Sequence, residues 1–345
     1  MIVLTINSGS SSIKYSVYDG EKELASGRIT GNDVEDRDGA IATILGRLRE
    51  GGTVDRVEAV GYRIVHGGPR HFEPERVTSE LRNELEQLTE LAPDHMPDQL
   101  AVIAAVTKAL PGLPAVACFD TAFHRRMPRV AQLYGLTREL AEQGVIRYGF
   151  HGLSYAYLVS KLRQEGALPE RLIIAHLGNG SSMAAIRNGE SMDTTMGLTP
   201  TGGFTMSNRS GDMDPGVVLH LIRQRGMTAD AVNKLVTKDG GMKGLSGGVS
   251  SDMQKLLQLS PANPAAAEAV EVYCYQARKF LGAMAVVLGG VDLLVFTGGI
   301  GENSAEVRDR IALGLKALGN PTVRVMKTNE ELMIARGTGE VLGAA

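Results

Sequence analysis

The apolar positions of the chain fall into short strand-like runs separated by longer stretches with helical spacing. Ile2–Ile6 is a short apolar run rich in β-branched residues, and Ile13–Tyr18 alternates between apolar and polar positions. These patterns are typical of a buried strand and of a half-buried strand. The small polar residues between the two runs predict a tight hairpin.

The same pattern returns half a chain length later. The apolar run Leu172–Leu177 leads into the turn Gly178–Ser182 and then into a second apolar run, Met183–Ile186. The tripeptide Gly-Ser-Ser occurs in both turns. A strand–turn–strand unit that occurs once in each half indicates an internal duplication.

Helical patterns lie between these units. Leucines recur at helical spacing in Ser79–Leu91, where Ser79 is the predicted N-cap, and Asp98–Leu110 has a similar pattern. Ala265–Leu288 predicts a long helix. Two further buried strands are predicted at Ala115–Phe119 and Leu293–Phe296. The alternation of strands and helices predicts an α/β fold.

Composition narrows the class of protein. The 345 residues suffice for two cores, and we place the domain boundary near residues 122–124. The formal net charge of -3 argues against a nucleic-acid partner. No run approaches the roughly 18 apolar residues that a membrane span needs, and the first residues do not resemble a signal peptide. The two cysteines, Cys118 and Cys274, lie in apolar runs, which favours buried thiols and a cytoplasmic protein.

The glycines indicate candidate binding sites. The chain has 42 glycines among its 345 residues, which is above the usual share of about 7%. Three glycine turns follow apolar runs: the first hairpin turn, Gly178–Ser182, and Gly298–Asn303. Backbone N–H groups in such turns can hold phosphate, and Lys14 adds a cation to the first turn. The alternative for that turn is a polar hairpin with a chance lysine.

Four side chains in or beside other turns suit the transfer of a phosphoryl group. Asp120 follows a predicted strand, His151 precedes a glycine, and Arg63 and Arg209 lie near small residues. The alternatives are a helix N-cap for Asp120 and surface ion pairs for the arginines. Taken together with the phosphate-binding turns, they predict a phosphoryl-transfer site.

Ordered motifs along the whole chain resemble one family, the acetate and propionate kinases. The motifs are INSGSSSIKY, YRIVHGG, LAPDH, FDTAFH, RYGFHG, AHLGNGSS, MDTTMGLTP, RSGDMDP, GLSGGVSSDM, FTGGIGENS and TNEELMIAR. The resemblance implies duplicated ribonuclease H-like (actin-like ATPase) domains with an active-site cleft between them. It implies an N-terminal domain of residues 1–122 plus 330–345 and a C-terminal domain of residues 123–329. It also implies a homodimer that uses ATP or ADP with Mg²⁺ or Mn²⁺.

The resemblance also implies roles for individual residues. The metal ligands would be Asn7 and Glu330, and the catalytic residues Asp120, His151 and Arg209. Arg63 would bind the carboxylate of the substrate, and Val65, Phe150 and Pro200 would contact its alkyl group. Asp94 would stand in the same pocket, where it either points away from the alkyl group or indicates a substrate with a polar group. The nucleotide would be bound by Ser10, Ser12, Lys14, His176, Leu177, Gly178, Asn179, Gly180, Asp252, Met253, Gln254, Gly299, Ile300, Gly301, Glu302 and Asn303.

The sequence departs from the family pattern at several points. Asp94 stands at a pocket position that is normally apolar, Gln254 stands where an arginine is usual, and the usual L-E-G after Pro200 is Thr201-Gly202-Gly203. The chain is also several tens of residues short, mainly between Tyr18 and Arg63.

The expected activity is ATP-dependent phosphorylation of a short carboxylate, with acetate first. Propionate or a hydroxylated acid is the alternative substrate, and a nucleotide-binding regulator is a third reading. Because acetate is ionised at neutral pH, no proton has to be removed from it. We therefore expect Asp120 to orient the metal, its water or the arginines.

Overall fold

The computed structural model describes residues 1–9, 12–34, 36–93 and 95–343. Ser10 and Asp94, two of the predicted site residues, lie outside these ranges. The chain forms two compact units: Met1–Arg125 with Phe150–Ser160 and Asn329–Ala345, and Arg126–Gly149 with Lys161–Thr328. The first unit thus takes in Phe150–Ser160, which the expected domain limits place in the second domain. In the part of the chain that is described, we find no helix with the length and apolar character needed to span a membrane.

The first unit is built on a six-stranded sheet with the order β3-β2-β1-β4-β6-β5. Strands β1, β2 and β3 form an antiparallel meander, while β1, β4 and β6 run parallel. The strands are β1 (Ile2–Ser8), β2 (Ser12–Asp19), β3 (Lys22–Thr30), β4 (Ala59–Ile64), β5 (Glu75–Arg76) and β6 (Ala115–Phe119). The predicted first hairpin and the predicted strand at Ala115–Phe119 are confirmed.

Helices cover this sheet because each has an apolar face. Helix α14 packs against β1, β4 and β6, where Ile334 joins Val116 and Cys118 in one buried cluster. The helices are α1 (Arg37–Glu50), α2 (Ser79–Gln87), α3 (Met96–Ala109), the first part of α6 (Gly152–Gln164) and α14 (Glu330–Leu342). The predicted cap of α2 is wrong: Thr78, not Ser79, accepts the hydrogen bond from the Leu81 N–H. Helix α1 has no counterpart among the predicted helices.

The second unit has a five-stranded sheet with the order β11-β10-β7-β8-β9. Its strands are β7 (Arg171–Leu177), β8 (Ser181–Arg187), β9 (Glu190–Thr194), β10 (Leu293–Thr297) and β11 (Thr322–Val325). Its helices are α4 (Arg129–Gln132), α5 (Arg138–Glu142), α7 (Pro215–Arg223), α8 (Ala229–Lys234), α9 (Gly241–Leu245), α10 (Met253–Leu259), α11 (Pro264–Leu288), α12 (Gly298–Asn303) and α13 (Ala305–Ala312). The predicted long helix is confirmed as α11, which packs on β7, β8 and β9.

The two sheets repeat one topology. Strands β9-β8-β7-β10-β11 follow one another as β3-β2-β1-β4-β6 do, with the same pattern of antiparallel and parallel neighbours. Each sheet also has an irregularity in the pairing of its second and third strands, at Val17/Tyr18 and at Ala185/Ile186. The shared order confirms the internal duplication that the two Gly-Ser-Ser turns predict.

Both cysteines are buried within their units, as predicted. Cys118 lies in β6 and Cys274 in α11, and neither forms a disulfide. Burial raises the pKa of each thiol to about 12. Because the thiolate is the reactive form, these two residues contribute to packing rather than to nucleophilic chemistry.

Candidate active site

Three predicted site residues of the first unit meet where its parallel strands end. Asn7 lies near the end of β1, Arg63 near the end of β4, and Asp120 directly after β6. Arg63 Nη2 donates to Asp120 Oδ2 at 2.7 Å, and Arg63 Nη1 donates to Asn7 Oδ1 at 3.4 Å. The carboxyl ends of parallel strands lie at one edge of a sheet, which is why three distant sequence positions form one group.

Helix α14 adds two carboxylates to this group. Asn329 caps the helix by accepting from the Leu332 N–H at 2.9 Å, which places Glu330 and Glu331 in its first turn. Asn7 Nδ2 donates to Glu330 Oε2 at 2.8 Å and to Glu331 Oε1 at 3.0 Å. The structure therefore brings the expected metal pair together. Sequence reasoning missed Glu331, because two adjacent acids give no sign that both reach Asn7.

Asp120 is fully buried and uses both carboxylate oxygens. Its Oδ2 also accepts from the His151 N–H at 2.9 Å, and its Oδ1 accepts from the Leu153 N–H at 3.4 Å. These donors are among the N–H groups that helix α6 leaves unpaired at its start. Asp120 thus caps a helix that is remote in sequence. The turn that follows Asp120 directly has Thr121 at its N-cap position, and Thr121 makes no side-chain capping bond there.

His151 lies in a strained turn that approaches Asp120 closely. Its φ of 59° is in the left-handed region, which residues other than glycine rarely adopt. A Cβ at Gly152 would collide with the carbonyl oxygen of Asp120 and with the Phe123 side chain. The His-Gly pair is therefore the local sequence that lets α6 begin against the end of β6.

The charges in this group fix the protonation states of its two central members. Burial alone would raise the pKa of Asp120, but the charge and hydrogen bond of Arg63 and the two N–H groups hold it below its ordinary value. Burial lowers the pKa of Arg63, and the charges of Asp120, Glu330 and Glu331 more than offset this, so that it lies above its usual value. At neutral pH the pair is a carboxylate and a guanidinium.

Val65 and Phe150, the expected contacts of the alkyl group, are both buried. The Phe150 ring meets the His66 ring edge-on, with centroids 5.5 Å apart. The Val65 N–H donates to Gln99 Oε1 at 2.9 Å, and Gln99 Nε2 donates to the Ser8 carbonyl at 3.0 Å. Gln99 is therefore a second residue that sequence reasoning missed. In the sequence, Gln99 could have been recognised as a single amide side chain on the otherwise apolar face of α3.

The first hairpin turn holds the remaining predicted residues of this unit. The Gly9 N–H donates to the Ser12 carbonyl at 2.8 Å, which closes the turn. Ser12 Oγ accepts from Arg28 Nη2 at 3.0 Å, and Lys14 is an exposed residue paired opposite Asn7. Ser10 is outside the described residues.

The corresponding turn of the second unit joins β7 to β8. The Gly178 N–H donates to the Gly180 carbonyl at 3.1 Å and to Ser181 Oγ at 3.2 Å. His176 is half-buried, Leu177 belongs to the core of the unit, and Asn179 is exposed. The exposed part of the expected phosphate motif is thus the backbone and amide of the turn rather than Leu177.

The third glycine segment is not an open turn. Gly298–Asn303 forms the helix α12, and Glu302 Oε1 accepts from the Gly298 N–H at 3.0 Å. The start of the helix is therefore occupied by a carboxylate of the same segment, and the prediction of a phosphate nest there is wrong. Asn303 Nδ2 donates to the Gly299 carbonyl at 2.8 Å, while Ile300 is half-buried.

Two more predicted segments of the second unit have well-defined environments. Asp252 caps α10 by accepting from the Lys255 N–H at 2.8 Å, Met253 is buried, and Gln254 is exposed. Of these three, the Met253 side chain faces the core. Arg209 Nη1 donates to the carbonyl of the buried Pro200 at 3.1 Å, which joins a predicted catalytic residue to a predicted pocket residue.

The oxygen atoms around Asn7 fit a hard divalent cation. Carboxylate and amide oxygens are ligands of Mg²⁺, which commonly takes one or two carboxylates and completes its shell with water and substrate phosphate. Within the described ranges, no three His, Cys, Asp or Glu side chains are grouped to hold a metal ion. The donor set therefore suits a metal that is coordinated partly by the protein and partly by a nucleotide, and does not suit a site made only of protein ligands.

The sequence profile of the acetokinase family matches residues 27–323. The chain belongs to the acetokinase family. Relatives include the acetate kinase of Rhodopseudomonas palustris, 38% identical over 97% of both chains, and that of Coprothermobacter proteolyticus, 39% identical over 99% of both chains. The resemblance that the ordered motifs carry is thereby confirmed.

Solved structures agree with this membership and with the expected fold. Porphyromonas gingivalis acetate kinase has a TM-score of 0.88 at 34% identity, and Francisella tularensis propionate kinase has 0.92 at 29% identity, each over 99% of both chains. A ROK hexokinase from Thermus thermophilus has a TM-score of 0.50 at 15% identity, covering all of both chains, which shows the fold alone.

This acetokinase-family chain is shorter than its relatives, as predicted. The alignment with the Rhodopseudomonas palustris protein extends over 388 residues, against 345 in this chain. The group of Asn7, Arg63, Asp120 and Glu330 is present despite the missing segments.

Proposed function

We propose that this acetokinase-family chain phosphorylates a short carboxylate with ATP, converting acetate and ATP into acetyl phosphate and ADP by direct in-line transfer. The observation that carries the proposal is the Arg63 guanidinium, held by Asp120 and Asn7 at the carboxyl ends of parallel strands. A fixed, fully charged guanidinium suits the planar carboxylate of a small acid.

The chemistry requires one anion to approach another. Arg63 would bind and orient the carboxylate, while Arg209 and His151 would stabilise the charge that spreads over the transferred phosphoryl oxygens. Asp120 is a buried anion with a lowered pKa, so it has no proton to give at neutral pH. Its proposed task is to hold Arg63 and the first turn of α6 in place.

Mg²⁺, or Mn²⁺ in its place, would be held through Asn7 and Glu330, with Glu331 beside them. When bound, the ion would neutralise charge on the nucleotide phosphates. Ser10, Ser12 and Lys14 with His176–Gly180 are the proposed phosphate contacts. Asp252–Gln254 and Gly299–Asn303 are the proposed contacts of the rest of the nucleotide.

Propionate is the second candidate substrate, because the propionate kinase from Francisella tularensis has the higher TM-score of the two kinases compared above. Val65, Phe150 and Pro200 are the proposed apolar contacts of the alkyl group. Asp94 is the residue that we expect to influence this choice. A pure regulator is disfavoured, since a nucleotide-binding switch has no need of a fixed carboxylate-binding arginine.

A hydroxylamine-trapping assay with ATP, Mg²⁺ and acetate, propionate or glycolate tests the activity. Hydroxamate from acetate or propionate is the expected result. Nucleotide binding without hydroxamate from any acid would refute the proposed activity and favour the regulator. Repeating the assay with Asp94→Leu measures how much that residue contributes to the choice among the three acids.

We also propose a cytoplasmic homodimer that forms through α7. None of the residues of α7 is buried, even though several are apolar. Val217, Leu219 and Ile222 are 45%, 48% and 38% exposed. Several neighbouring exposed apolar side chains on one helix are typical of an interaction surface, and a second copy of the chain would cover them. Leu219→Asp should give a monomer in light scattering, and the matched change Val286→Asp on α11 should leave the dimer intact. A dimer that persists with Leu219→Asp would exclude this face.

A further inference from the structure

The loop after β9 forms part of the environment of the proposed catalytic Arg209. We call the last residue of β9 together with the segment that follows it, residues 194–200, the β9 loop. Its last residue, Pro200, accepts from Arg209 Nη1 at 3.1 Å, and the Arg209 carbonyl accepts from the Met206 N–H at 3.0 Å. The loop therefore contributes one hydrogen-bond acceptor that orients this guanidinium.

Arg147 binds the beginning of the same loop. Its Nη1 donates to the carbonyls of Thr194, Thr195 and Met196 at 3.0, 3.0 and 3.2 Å. All three residues are essentially inaccessible to solvent, and buried carbonyls without a donor are unfavourable. Arg147 also faces Asp193, with Nε 4.0 Å from Oδ1. One side chain thus donates to three successive carbonyls, so that the backbone of this segment curves around the guanidinium.

The middle of the loop is held by residues next to Arg147 in space or in sequence. Tyr134 lies with its ring centroid 5.8 Å from Arg147 Cζ, and its hydroxyl accepts from the Leu198 N–H at 2.6 Å. The Gly197 carbonyl accepts from the Tyr148 N–H at 3.1 Å. A Cβ at Gly197 would collide with the Tyr134 hydroxyl, so the loop fits closely against this support.

We propose that Arg147 is a positioning residue for phosphoryl transfer, which acts through the β9 loop and the Pro200 carbonyl to orient Arg209. This inference rests on the proposed function of Arg209. Arg147 itself would touch neither substrate nor nucleotide. Lysine is a poor replacement, because it lacks the Nε that faces Asp193 and the planar guanidinium that lies against the Tyr134 ring.

The test is a double-mutant cycle on kcat for acetyl phosphate formation. Arg147→Lys should lower kcat about 10- to 100-fold, since a displacement near 1 Å can have that effect, with the KM for ATP unchanged. In an Arg209→Ala background the same change should lower kcat less than about twofold, because the residue through which it acts is gone. If Arg209→Ala turns over too slowly to assay, Arg209→Lys provides the background.

Equal losses in both backgrounds would overturn the inference and leave Arg147 a structural residue only. Normal activity of Arg209→Ala would instead refute the proposed role of Arg209, so the two failures are distinguishable. Arg187→Lys is the matched control: Arg187 Nη2 donates to the Leu288 carbonyl at 2.8 Å, away from the β9 loop, and its replacement should leave kcat unchanged.

Tyr134→Phe tests the same support without removing a charge. It deletes only the hydroxyl that accepts from Leu198, so we expect a folded enzyme whose kcat falls about three- to tenfold, the effect of one hydrogen bond. Should both Tyr134→Phe and Arg147→Lys fold and retain full kcat, the β9 loop has no positioning role.

Discussion

The buried pair of Arg63 and Asp120 gives the sharpest test of this site. Asp120→Asn keeps the shape of the side chain and one oxygen acceptor but removes the negative charge. The new amide NH2 group replaces either Oδ2, which accepts from Arg63 and from the His151 N–H, or Oδ1, which accepts from the Leu153 N–H. Either orientation of the amide therefore sets a donor against a donor.

The size of the effect follows from burial. Asp120 is fully buried and the Arg63 side chain is 14% exposed, so little solvent screens the charge that is left behind. Breaking a buried ion pair by removing one partner lowers the free energy of unfolding by about 3–5 kcal/mol. For a unit of this size, each kcal/mol lowers the melting temperature by about 2–4 °C. A decrease of roughly 6–20 °C is therefore expected for the first unit.

The pH dependence distinguishes this explanation from a general loss of packing. The pKa of Asp120 is lowered in the folded protein, so the pair stabilises the fold fully above the unfolded pKa of about 3.9, and this contribution is lost as the pH falls through the folded pKa. The difference in urea midpoint between wild type and Asp120→Asn should be greatest near pH 7 and should shrink below about pH 4.

Activity is measured in parallel by the hydroxamate assay. We expect kcat to fall sharply, because Arg63 and the turn of His151 lose their common anchor. Two results would refute the reasoning: a variant as stable as wild type at pH 7, or a stability difference that is the same at pH 3 and pH 7. Full activity with unchanged Mg²⁺ dependence would show that Asp120 anchors nothing that the reaction needs.

Three further predictions follow from the same contacts. Arg63→Met combined with Asp120→Leu should unfold at higher urea than Asp120→Leu alone, because no buried charge is left unpaired, yet it should be inactive in the hydroxamate assay. His151→Asn should melt higher than His151→Ala by a few degrees, because asparagine tolerates a φ of 59° better, and equal melting curves would contradict this. Gln254→Arg should lower the KM for ATP about three- to tenfold without changing stability, because it adds one charge-assisted hydrogen bond at an exposed position. An unchanged KM would show that residue 254 does not contact the nucleotide.

Much of the fold was predictable because apolar runs and small residues act locally. Ile2–Ile6, Ala115–Phe119 and the long helix at Ala265–Leu288 correspond to elements of the structure, since strand and helix periods are visible in a single sequence. The capping residue of α2 was misplaced by one position, because Thr78 and Ser79 are both good caps. Helix α1 was not predicted, although Ile41, Ile44, Leu45 and Leu48 lie at helical spacing.

The site was predictable as a set of residue types and not as a set of contacts. Asn7 and Asp120 follow predicted strands, which sequence patterns reveal, whereas Glu330 was expected only from the family resemblance. That Asp120 would cap α6, or that Glu331 would share Asn7 with Glu330, depends on the packing of distant segments. The glycine segment at 298–303 was predicted as an open phosphate nest because the sequence gives no sign that Glu302 folds back onto its own helix start.

The three-segment make-up of the first unit has a consequence for synthesis of the protein. Strands β1, β4 and β6 leave the ribosome early, but α14, which covers them, is made only after the strands of the second unit. Until then Val116 and the other residues that pack under α14 lack their partner, and the nascent unit exposes an apolar sheet face for chaperones to bind. A chain that ended just before Asn329 would therefore lack Glu330 and α14, and the sheet that is made first would remain uncovered.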